Sequence, residues 1–437
     1  MERDAFRFLN EWKNDKNRKP LIIQGARQVG KTWLMREFGK KAFKKTAYVN
    51  FDQNTSLKAI FAKTRNVSDL IEAIGIDAGL TVTPDDTLIV LDEIQECPDA
   101  LTALKYFNED APEYHVIVAG SLLGVAHHNG TGFPVGKVDF MILYPLSFLE
   151  FLSAAGKQQL RSLLEKKKFD LISPFAEELK MALKRYFYIG GMPEIVQSFI
   201  NEGNYQKVRK LQENILTAYE NDFSKHTSSA MAERIKSLWL SIPVQLAKEN
   251  KKFIYGVARK GARAREYEEG LNWLRDGGLI YKITRIKKPT LPIKAYEDEA
   301  VFKIYMLDVG LLGALANLNV KTLLENDSLF TEFKGALTEQ YVLQQLQASD
   351  YGKTLHYWAN EANTAEVDFI AQINNDIIPI EVKATINLKA KSLSGYRKDY
   401  SPAYAVRTSL ADYKVDDGLY NIPLYMIGLL DSLVSAS

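Results

Sequence analysis

The chain has 437 residues, of which 46% are hydrophobic and 25% charged, with a formal net charge of +2. The length predicts about two to four globular domains, and the near-neutral charge excludes a strong overall attraction to nucleic acid, so any such contact needs a local basic patch. The single cysteine, Cys97, excludes an internal disulfide. We find neither zinc-type Cys/His spacing nor an apolar run of membrane-spanning length, and therefore expect a cytoplasmic protein with no membrane contact.

The first strong motif is a glycine loop between a predicted strand and a predicted helix. Residues 25–32 read Gly-Ala-Arg-Gln-Val-Gly-Lys-Thr, which fits G-x-x-x-x-G-K-[ST], and they follow the apolar run Leu21 to Ile23. In this context Lys31 reaches the β and γ phosphates, and the Thr32 hydroxyl ligates Mg²⁺. The predicted nucleotide-contacting residues are Gly25, Ala26, Arg27, Gln28, Val29, Gly30, Lys31, Thr32 and Trp33.

An acidic pair ends the next strongly apolar segment. The run from Thr87 to Leu91 has the pattern of a buried strand, and Asp92 and Glu93 follow it. Since the carboxyl ends of parallel strands face the ligand crevice, Asp92 is predicted to hold Mg²⁺ with Thr32, and Glu93 to polarise the attacking water. The alternative is that the pair is only the solvated end of a strand. Together the two motifs predict an ATPase that uses ATP and Mg²⁺.

Two further strand-like runs, Ala47 to Phe51 and His115 to Ala119, complete the pattern of an α/β domain. Their order predicts a parallel sheet with an extra strand between the two motif strands. Ser121 would follow that strand at its tip and position the lytic water or sense the γ-phosphate; a turn serine beside Gly120 is an equal alternative. We assign residues 1–155 to a P-loop ATPase core.

Residues 156–205 have helical periodicity and are predicted to form a lid. The helical pattern is interrupted at Gly190, Gly191 and Pro193, which force a bend between helices. Arg185 would then lean over the phosphates and Pro193 would touch the base. A simple helix-hairpin bend explains the same glycines and proline without a ligand.

Residues 206–300 show the layout of a winged helix. Three helical stretches are followed by a strand from Gly278 and a return strand near Pro292 to Tyr296. Basic residues that could contact DNA phosphates gather at the start of the third helix and at the wing tip. They are Arg259, Lys260, Arg263 and Arg265, with Lys287 and Lys288 at the tip. The rival interpretation is a fold used only for packing.

Residues 301–437 comprise a connector and a unit rich in carboxylates. Glu339 lies in a helical segment, Asp368 near the start of a strand, and Glu381 and Lys383 in a second strand, where the period of two places both on one face. Glu339, Asp368 and Glu381 would ligate one Mg²⁺. Lys383 would orient or help to deprotonate the water that attacks a scissile phosphate. The alternative is a structural salt-bridge cluster in a half-buried sheet.

Taken together, these motifs resemble a prokaryotic family of AAA+-like ATPases with a C-terminal PD-(D/E)xK nuclease-like domain, long catalogued as a domain of unknown function. The hallmarks are residues 19–32, 91–95, 119–121, 144–151, 190–193, 366–369 and 380–383. The resemblance implies ATP binding and hydrolysis, a winged-helix segment and a restriction-endonuclease-like α/β tail. One departure is that the proline of the nuclease motif is absent before Asp368. No arginine finger can be assigned, which leaves the oligomeric state open.

Three functions compete. The leading hypothesis is an ATPase whose nucleotide state positions a DNA-binding winged helix and a metal-dependent nuclease-like domain, with Asp368, Glu381 and Lys383 as its catalytic residues. The second is a signal-transducing ATPase switch that binds a protein or DNA and carries a catalytically inactive tail. The third is nucleotide binding without turnover.

Overall fold

The structure, a computed structural model, describes residues 1–120, 134–248, 251–320, 331–349, 351–362, 364–386 and 390–434. The predicted catalytic residue Ser121 lies outside these residues. The chain divides into two compact units. The first, here called the parallel-sheet unit, comprises Glu2–Tyr144 and Asp276–Leu279; the second, the mixed-sheet unit, comprises Met1, Pro145–Arg275 and Ile280–Ser437. No helix within the described ranges has the length and apolarity needed to cross a membrane.

Five parallel strands form the described sheet of the parallel-sheet unit. They are β1 (Leu21–Gln24), β2 (Lys45–Asn50), β3 (Thr87–Asp92), β4 (His115–Ala119) and β5 (Asp139–Ile142). Their order is β2-β3-β4-β1-β5, so β4 lies between the two motif strands, as the sequence predicted. Because the strands are parallel, the glycine loop after β1 and the acidic pair at the end of β3 lie at the same edge of the sheet.

The parallel-sheet unit has five described helices, two of which begin at side-chain caps. They are α1 (Ala5–Asn14), α2 (Lys31–Ala42), α3 (Thr55–Lys63), α4 (Val67–Ala78) and α5 (Pro98–Asp110). The side chains of Asn54 and Asn66 accept backbone N–H groups in the first turns of α3 and α4. Gly79 ends α4 in the left-handed conformation.

The core of the parallel-sheet unit explains why its central strands read as continuous apolar runs. Every residue of β3 and β4 is buried, as expected for parallel strands covered on both faces. Phe51, Phe61 and Phe107 pack into one hydrophobic cluster with β3. The apolar residues of β3 therefore lie in the core, and Asp92, the last residue of the strand, lies at the ligand edge of the sheet.

Helices make up most of the chain between residues 148 and 276. They are α6 (Phe148–Ala154), α7 (Gln158–Glu165), α8 (Phe169–Ile172), α9 (Ala176–Ile189), α10 (Pro193–Glu202), α11 (Tyr205–His226), α12 (Ser229–Leu246), α13 (Tyr255–Ala258) and α14 (Ala264–Asp276). The predicted bend is present between α9 and α10. A Cβ at Gly190 would lie 2.0 Å from Asp308 Oδ1, and one at Gly191 would lie 2.2 Å from the Leu146 carbonyl oxygen. Close packing thus accounts for both glycines.

A mixed sheet of eight strands occupies the described C-terminal region. Its strands are β6 (Ile280–Ile286), β7 (Glu297–Met306), β8 (His356–Ala359), β9 (Glu366–Ile373), β10 (Asp376–Val382), β11 (Ala405–Ser409), β12 (Lys414–Asp416) and β13 (Leu419–Pro423). Their order is β12-β13-β11-β10-β9-β8-β6-β7. The remaining helices of this unit are α15 (Val309–Leu315), α16 (Thr331–Gln347), α17 (Lys391–Tyr400) and α18 (Leu430–Val434). As predicted, the strands that carry Asp368 and Glu381 pair with each other, and they do so in antiparallel register.

The predicted return strand near Pro292 to Tyr296 is wrong in position. Residues Ile293–Tyr296 form a 3₁₀ turn, and the return strand is β7, which begins at Glu297. Proline cannot donate to a strand ladder, so pairing resumes only beyond Pro292. The order of three helices followed by an antiparallel pair is present, but β6 also pairs with β8. The hairpin is therefore part of a larger sheet.

Candidate functional site

Lys31 begins α2 and folds back over the glycine loop. Its Nζ donates hydrogen bonds to the carbonyl oxygens of Gly25 at 2.7 Å and Ala26 at 2.8 Å. Burial lowers the pKa of Lys31 to about 8, although the carboxylates of Glu93 and Asp92 act in the opposite direction. An anionic ligand in this position would favour the protonated lysine.

The backbone of the loop takes conformations that few residues other than glycine adopt easily. Gly25 has φ 144°, and a Cβ there would lie 2.4 Å from the carbonyl oxygen of Leu143. Gln28 and Gly30 also have positive φ, at 67° and 95°. Successive turns of this kind point backbone N–H groups into one concavity, which suits an anion. Of the other predicted contact residues, Ala26 and Val29 are buried, Arg27 is half-buried, and Trp33 is exposed.

Two segments that no motif signals support this loop. The Arg3 guanidinium donates to the carbonyl oxygens of Val29 at 3.1 Å and Tyr144 at 2.7 Å. Gly278 has φ +71°, and a Cβ there would lie 3.3 Å from the backbone nitrogen of Ala26. Arg3 and Gly278, which are far apart in sequence, thus both lie against the loop.

Asp92 joins the two motifs directly. The Thr32 hydroxyl donates to Asp92 Oδ2 at 2.6 Å, the Tyr48 hydroxyl donates to the same oxygen at 2.8 Å, and the Glu93 N–H donates to Oδ1 at 3.0 Å. Burial, followed by the hydrogen bond to Asp92, raises the pKa of Tyr48 to about 12. Because the Thr32 hydroxyl donates its hydrogen to Asp92, its oxygen keeps a lone pair that could bind a cation. The Thr32 hydroxyl and the Asp92 carboxylate are both hard oxygen ligands, so they fit Mg²⁺.

Glu93 follows Asp92 in a strained conformation. Its φ of 54° is left-handed, and Gln95 Nε2 donates to its Oε2 at 2.5 Å. Strained residues of this kind concentrate at functional sites. Asp92 is only 2% exposed, so the alternative of a merely solvated strand end does not describe it.

A second acidic site lies in the mixed-sheet unit, where Glu339 on α16, Asp368 on β9 and Glu381 on β10 lie close enough to interact. Burial and the carboxylates of Glu339 and Glu381 hold the pKa of Asp368 well above its usual range. Asp368 Oδ2 accepts the Val382 N–H at 2.7 Å, and Lys383 Nζ lies 2.7 Å from Glu381 Oε1. The other carboxylate oxygen of Glu381 is buried without a hydrogen-bond partner.

Two lysines that the sequence analysis did not identify neutralise this acidic site. Lys251 forms an ion pair with Glu339, and the fully buried Lys303 forms one with Glu366. Burial opposes the charge of Lys303, but Glu366 and Glu339 raise its pKa above the usual range. Burial alone would raise the pKa of Glu339, yet Lys251 and Lys303 bring it below its usual value.

Glu339, Asp368 and Glu381, the predicted metal ligands, differ in how well they suit a cation. The orphaned oxygen of Glu381 suits a cation, whereas Glu339 is already engaged by Lys251 and accepts the Tyr305 hydroxyl at 3.2 Å. Across the described ranges, no group of three or more His, Cys, Asp or Glu side chains is arranged to hold a metal ion.

The predicted DNA-contacting residues are exposed. Arg259, Lys260 and Arg263 precede α14 in the chain, and Arg265 lies in its first turn. At the hairpin, Lys287 is exposed, with its Nζ 3.8 Å from Asp298 Oδ2. These positions make the cations available to solvent. The two residues predicted for the lid, Arg185 and Pro193, lie in α9 and at the start of α10.

Family models match three separate parts of the chain. Residues 17–152 match an AAA domain, residues 180–322 match a domain of unknown function (DUF8612), and residues 334–427 match another domain of unknown function (DUF4143). No curated protein matches the chain.

The solved structures that match the chain are distant. A Walker-type ATPase of Pyrococcus abyssi is 13% identical, with a TM-score of 0.45, and the match covers 72% of this chain and 95% of that one. Orc1 of Aeropyrum pernix, solved in complex with DNA, is 13% identical with a TM-score of 0.27, covering 72% of this chain and 91% of that one. AMPPCP-bound DnaA of Aquifex aeolicus is 15% identical with a TM-score of 0.27, covering 62% and 86%. The AAA match spans the glycine loop and Asp92, so residues 17–152 are similar to an AAA domain and carry the geometry of a P-loop.

Proposed function

We propose that the chain binds ATP with Mg²⁺ and hydrolyses it. The observation that carries this proposal is the 2.6 Å hydrogen bond from Thr32 to Asp92, which joins the two motifs beside Lys31. Bound Mg²⁺ would neutralise charge on the β and γ phosphates, and Thr32 and Asp92 would hold it. Lys31 would exchange the carbonyls it now contacts for phosphate oxygens.

Glu93 is the proposed general base for the attacking water. Gln95 binds one of its carboxylate oxygens, which leaves Oε1 to accept a hydrogen bond from water. Its left-handed backbone sets the direction of the side chain relative to Asp92. Glu93 therefore acts on the water, whereas Asp92 acts on the cation.

Calorimetry with MgATP and a phosphate-release assay test this proposal. We expect Lys31→Ala to lose measurable binding and Glu93→Gln to bind MgATP while hydrolysing at least about 100-fold more slowly. Lys44→Ala is the matched control, because this lysine is highly exposed and lies outside the loop. An unchanged slow rate in Glu93→Gln would instead support binding without turnover, and no binding by the wild type would overturn the proposal.

We further propose that nucleotide state controls DNA contact by the exposed basic segment at residues 259–265. Its four exposed cations are suited to contacts with DNA phosphates. Removing such contacts makes the affinity for DNA less dependent on salt. We expect Arg263→Ala/Arg265→Ala to weaken binding to duplex DNA and to reduce the slope of log affinity against log salt by about 2. Lys166→Ala/Lys168→Ala, also exposed, removes the same charge elsewhere. Equal DNA affinity with ATP and ADP would contradict nucleotide control.

For the C-terminal acidic site, the geometry favours a tail that does not cut DNA. Lys251, Lys303 and Lys383 already supply three positive charges to the carboxylates around Asp368. Such pairing compensates the buried carboxylates without a metal. The chain would then be an ATPase switch whose tail serves interaction with a protein or DNA.

A metal-dependent nuclease is the second candidate, and the orphaned buried oxygen of Glu381 favours it. There Asp368, Glu381 and Glu339 would hold Mg²⁺, and Lys383 would orient the water. Plasmid nicking with Mg²⁺ or Mn²⁺ distinguishes the two. Nicking that disappears in Asp368→Ala supports the nuclease, and its absence from a wild type that hydrolyses ATP supports the non-cutting tail.

A further inference from the structure

Three groups donate hydrogen bonds to Asp92, and one of them comes from outside both motifs. Thr32 and Glu93 belong to the motif segments, but Tyr48 lies on the neighbouring strand β2. Its hydroxyl donates to Oδ2 at 2.8 Å, the same oxygen that accepts the Thr32 hydroxyl. The orientation of the Asp92 carboxylate thus depends on a residue with no assigned role.

Strand pairing explains why Tyr48 reaches this carboxylate. In the parallel register of β2 and β3, Tyr48 lies opposite Val90, two residues before Asp92. Residues two apart on a strand point to the same face, so Tyr48 and Asp92 are diagonal neighbours on one side of the sheet. The contact therefore follows from backbone register.

The Arg36 guanidinium packs over the face of the Tyr48 ring. Its guanidinium carbon lies 3.9 Å from the ring centroid of Tyr48. Arg36 is four residues after Thr32 in α2, so both side chains lie on the same helix face. The ring is held between the Arg36 cation and the Asp92 anion, which restricts the direction of its hydroxyl.

We propose that Tyr48 is a positioning residue for the Mg²⁺ of bound MgATP. It holds Asp92 Oδ2 in the orientation that also accepts the Thr32 hydrogen bond, so the Thr32 oxygen and the Asp92 carboxylate would be kept in place to hold the cation. Groups that orient metal-binding side chains commonly change metal affinity by about 10- to 100-fold. This inference rests on the proposed ATP site, and it predicts an effect confined to the cation.

Tyr48→Phe tests the proposal by removing one oxygen. ATP affinity is measured by calorimetry twice, once with excess Mg²⁺ and once with EDTA. We expect Tyr48→Phe to weaken binding in Mg²⁺ by roughly tenfold while leaving the affinity in EDTA unchanged. The Mg²⁺ concentration for half-maximal nucleotide binding should rise by a similar factor.

Tyr106→Phe is the matched control, since Tyr106 is a partly buried tyrosine of the same unit that packs against its hydrophobic core. The exposed Arg36 gives a second variant that is expected to fold: Arg36→Ala should weaken Mg²⁺-dependent binding by about threefold, as expected for a lost cation–π contact. An unchanged Mg²⁺ dependence in Tyr48→Phe, or equal loss of affinity in Mg²⁺ and EDTA, would overturn the inference. A wild type that binds nucleotide in neither condition would instead refute the ATP site itself.

Discussion

The acidic edge of the parallel sheet and the carboxylate cluster of the mixed sheet differ in how their charges are balanced. Hydroxyl and amide groups contact Asp92, and these neutral donors orient its charge without cancelling it. Lysine side chains contact Glu339, Glu366 and Glu381, and they cancel charge directly. The first arrangement leaves an anion for an incoming cation, whereas the second is internally compensated and is costly to break. Similar residue types thus support different roles.

The largest expected effect comes from breaking the internal balance of the mixed-sheet cluster. Lys303 is 0% exposed and compensates the half-buried Glu366 and Asp368 and the buried Glu339, so Lys303→Met removes the buried cation of this cluster. We expect a loss of about 3–5 kcal/mol in the free energy of unfolding, measured by urea denaturation. The double variant Lys303→Met/Glu366→Gln should lose less.

Lys294→Met is the control, because this lysine of the same unit is exposed and its loss should cost less than about 0.5 kcal/mol. If Lys303→Met were equally mild, the cluster would not depend on its buried cation. The comparison with the Asp92 site would then lose its physical basis.

A smaller effect is expected from crowding the glycine loop. Gly278→Ala and Gly79→Ala both place alanine at a left-handed position, with φ +71° and +67°. Only the new Cβ at Gly278 would press on a neighbour, the backbone nitrogen of Ala26. We expect Gly278→Ala to lose about 1–3 kcal/mol of ATP-binding free energy, measured by calorimetry.

Gly79→Ala should keep the wild-type affinity for ATP, since nothing lies within 4 Å of its new Cβ. Both variants should lose a similar amount of stability from backbone strain. Equal ATP affinities in the two variants would show that the contact with Ala26 has no bearing on the nucleotide site.

The smallest expected effect is a pH dependence of ATP affinity that arises from the ionisation of Lys31. Because its pKa is lowered to about 8, Lys31 is mostly protonated at pH 7 and mostly neutral at pH 9 in the free protein. Phosphate binding requires the charged form, so ATP affinity should fall above pH 8 by at most about tenfold per pH unit. Calorimetry at pH 8.5 in two buffers of different ionisation enthalpy should detect proton uptake. A buffer-independent heat at that pH would contradict the assignment.

Local patterns were sufficient to predict much of the parallel-sheet unit. The apolar runs before Gly25 and Asp92 gave the positions of β1 and β3, and the predicted segment His115 to Ala119 coincides with β4. These strands are buried on both faces, so their sequences alone carry the pattern. The contact of Thr32 with Asp92 follows once both strands are placed side by side.

Contacts between distant segments were beyond the sequence analysis. Lys251 and Lys303 approach the cluster from outside every motif, and their neighbours in sequence give no sign of it. Tyr48 was included only as part of a strand-like run, because its role depends on the register with Val90. The return strand begins later than predicted because Pro292 cannot donate to a strand ladder and Ile293–Tyr296 form a 3₁₀ turn.

The inclusion of Asp276–Leu279 in the parallel-sheet unit has a consequence for synthesis of the protein. When the ribosome has completed Tyr144, the backbone that lies against Ala26 has not yet been made, and it arrives only after α6 to α14. The nucleotide loop therefore acquires this support late in translation. A truncated chain that ends at Tyr144 lacks this support, and a fragment that retains it must extend at least through Gly278.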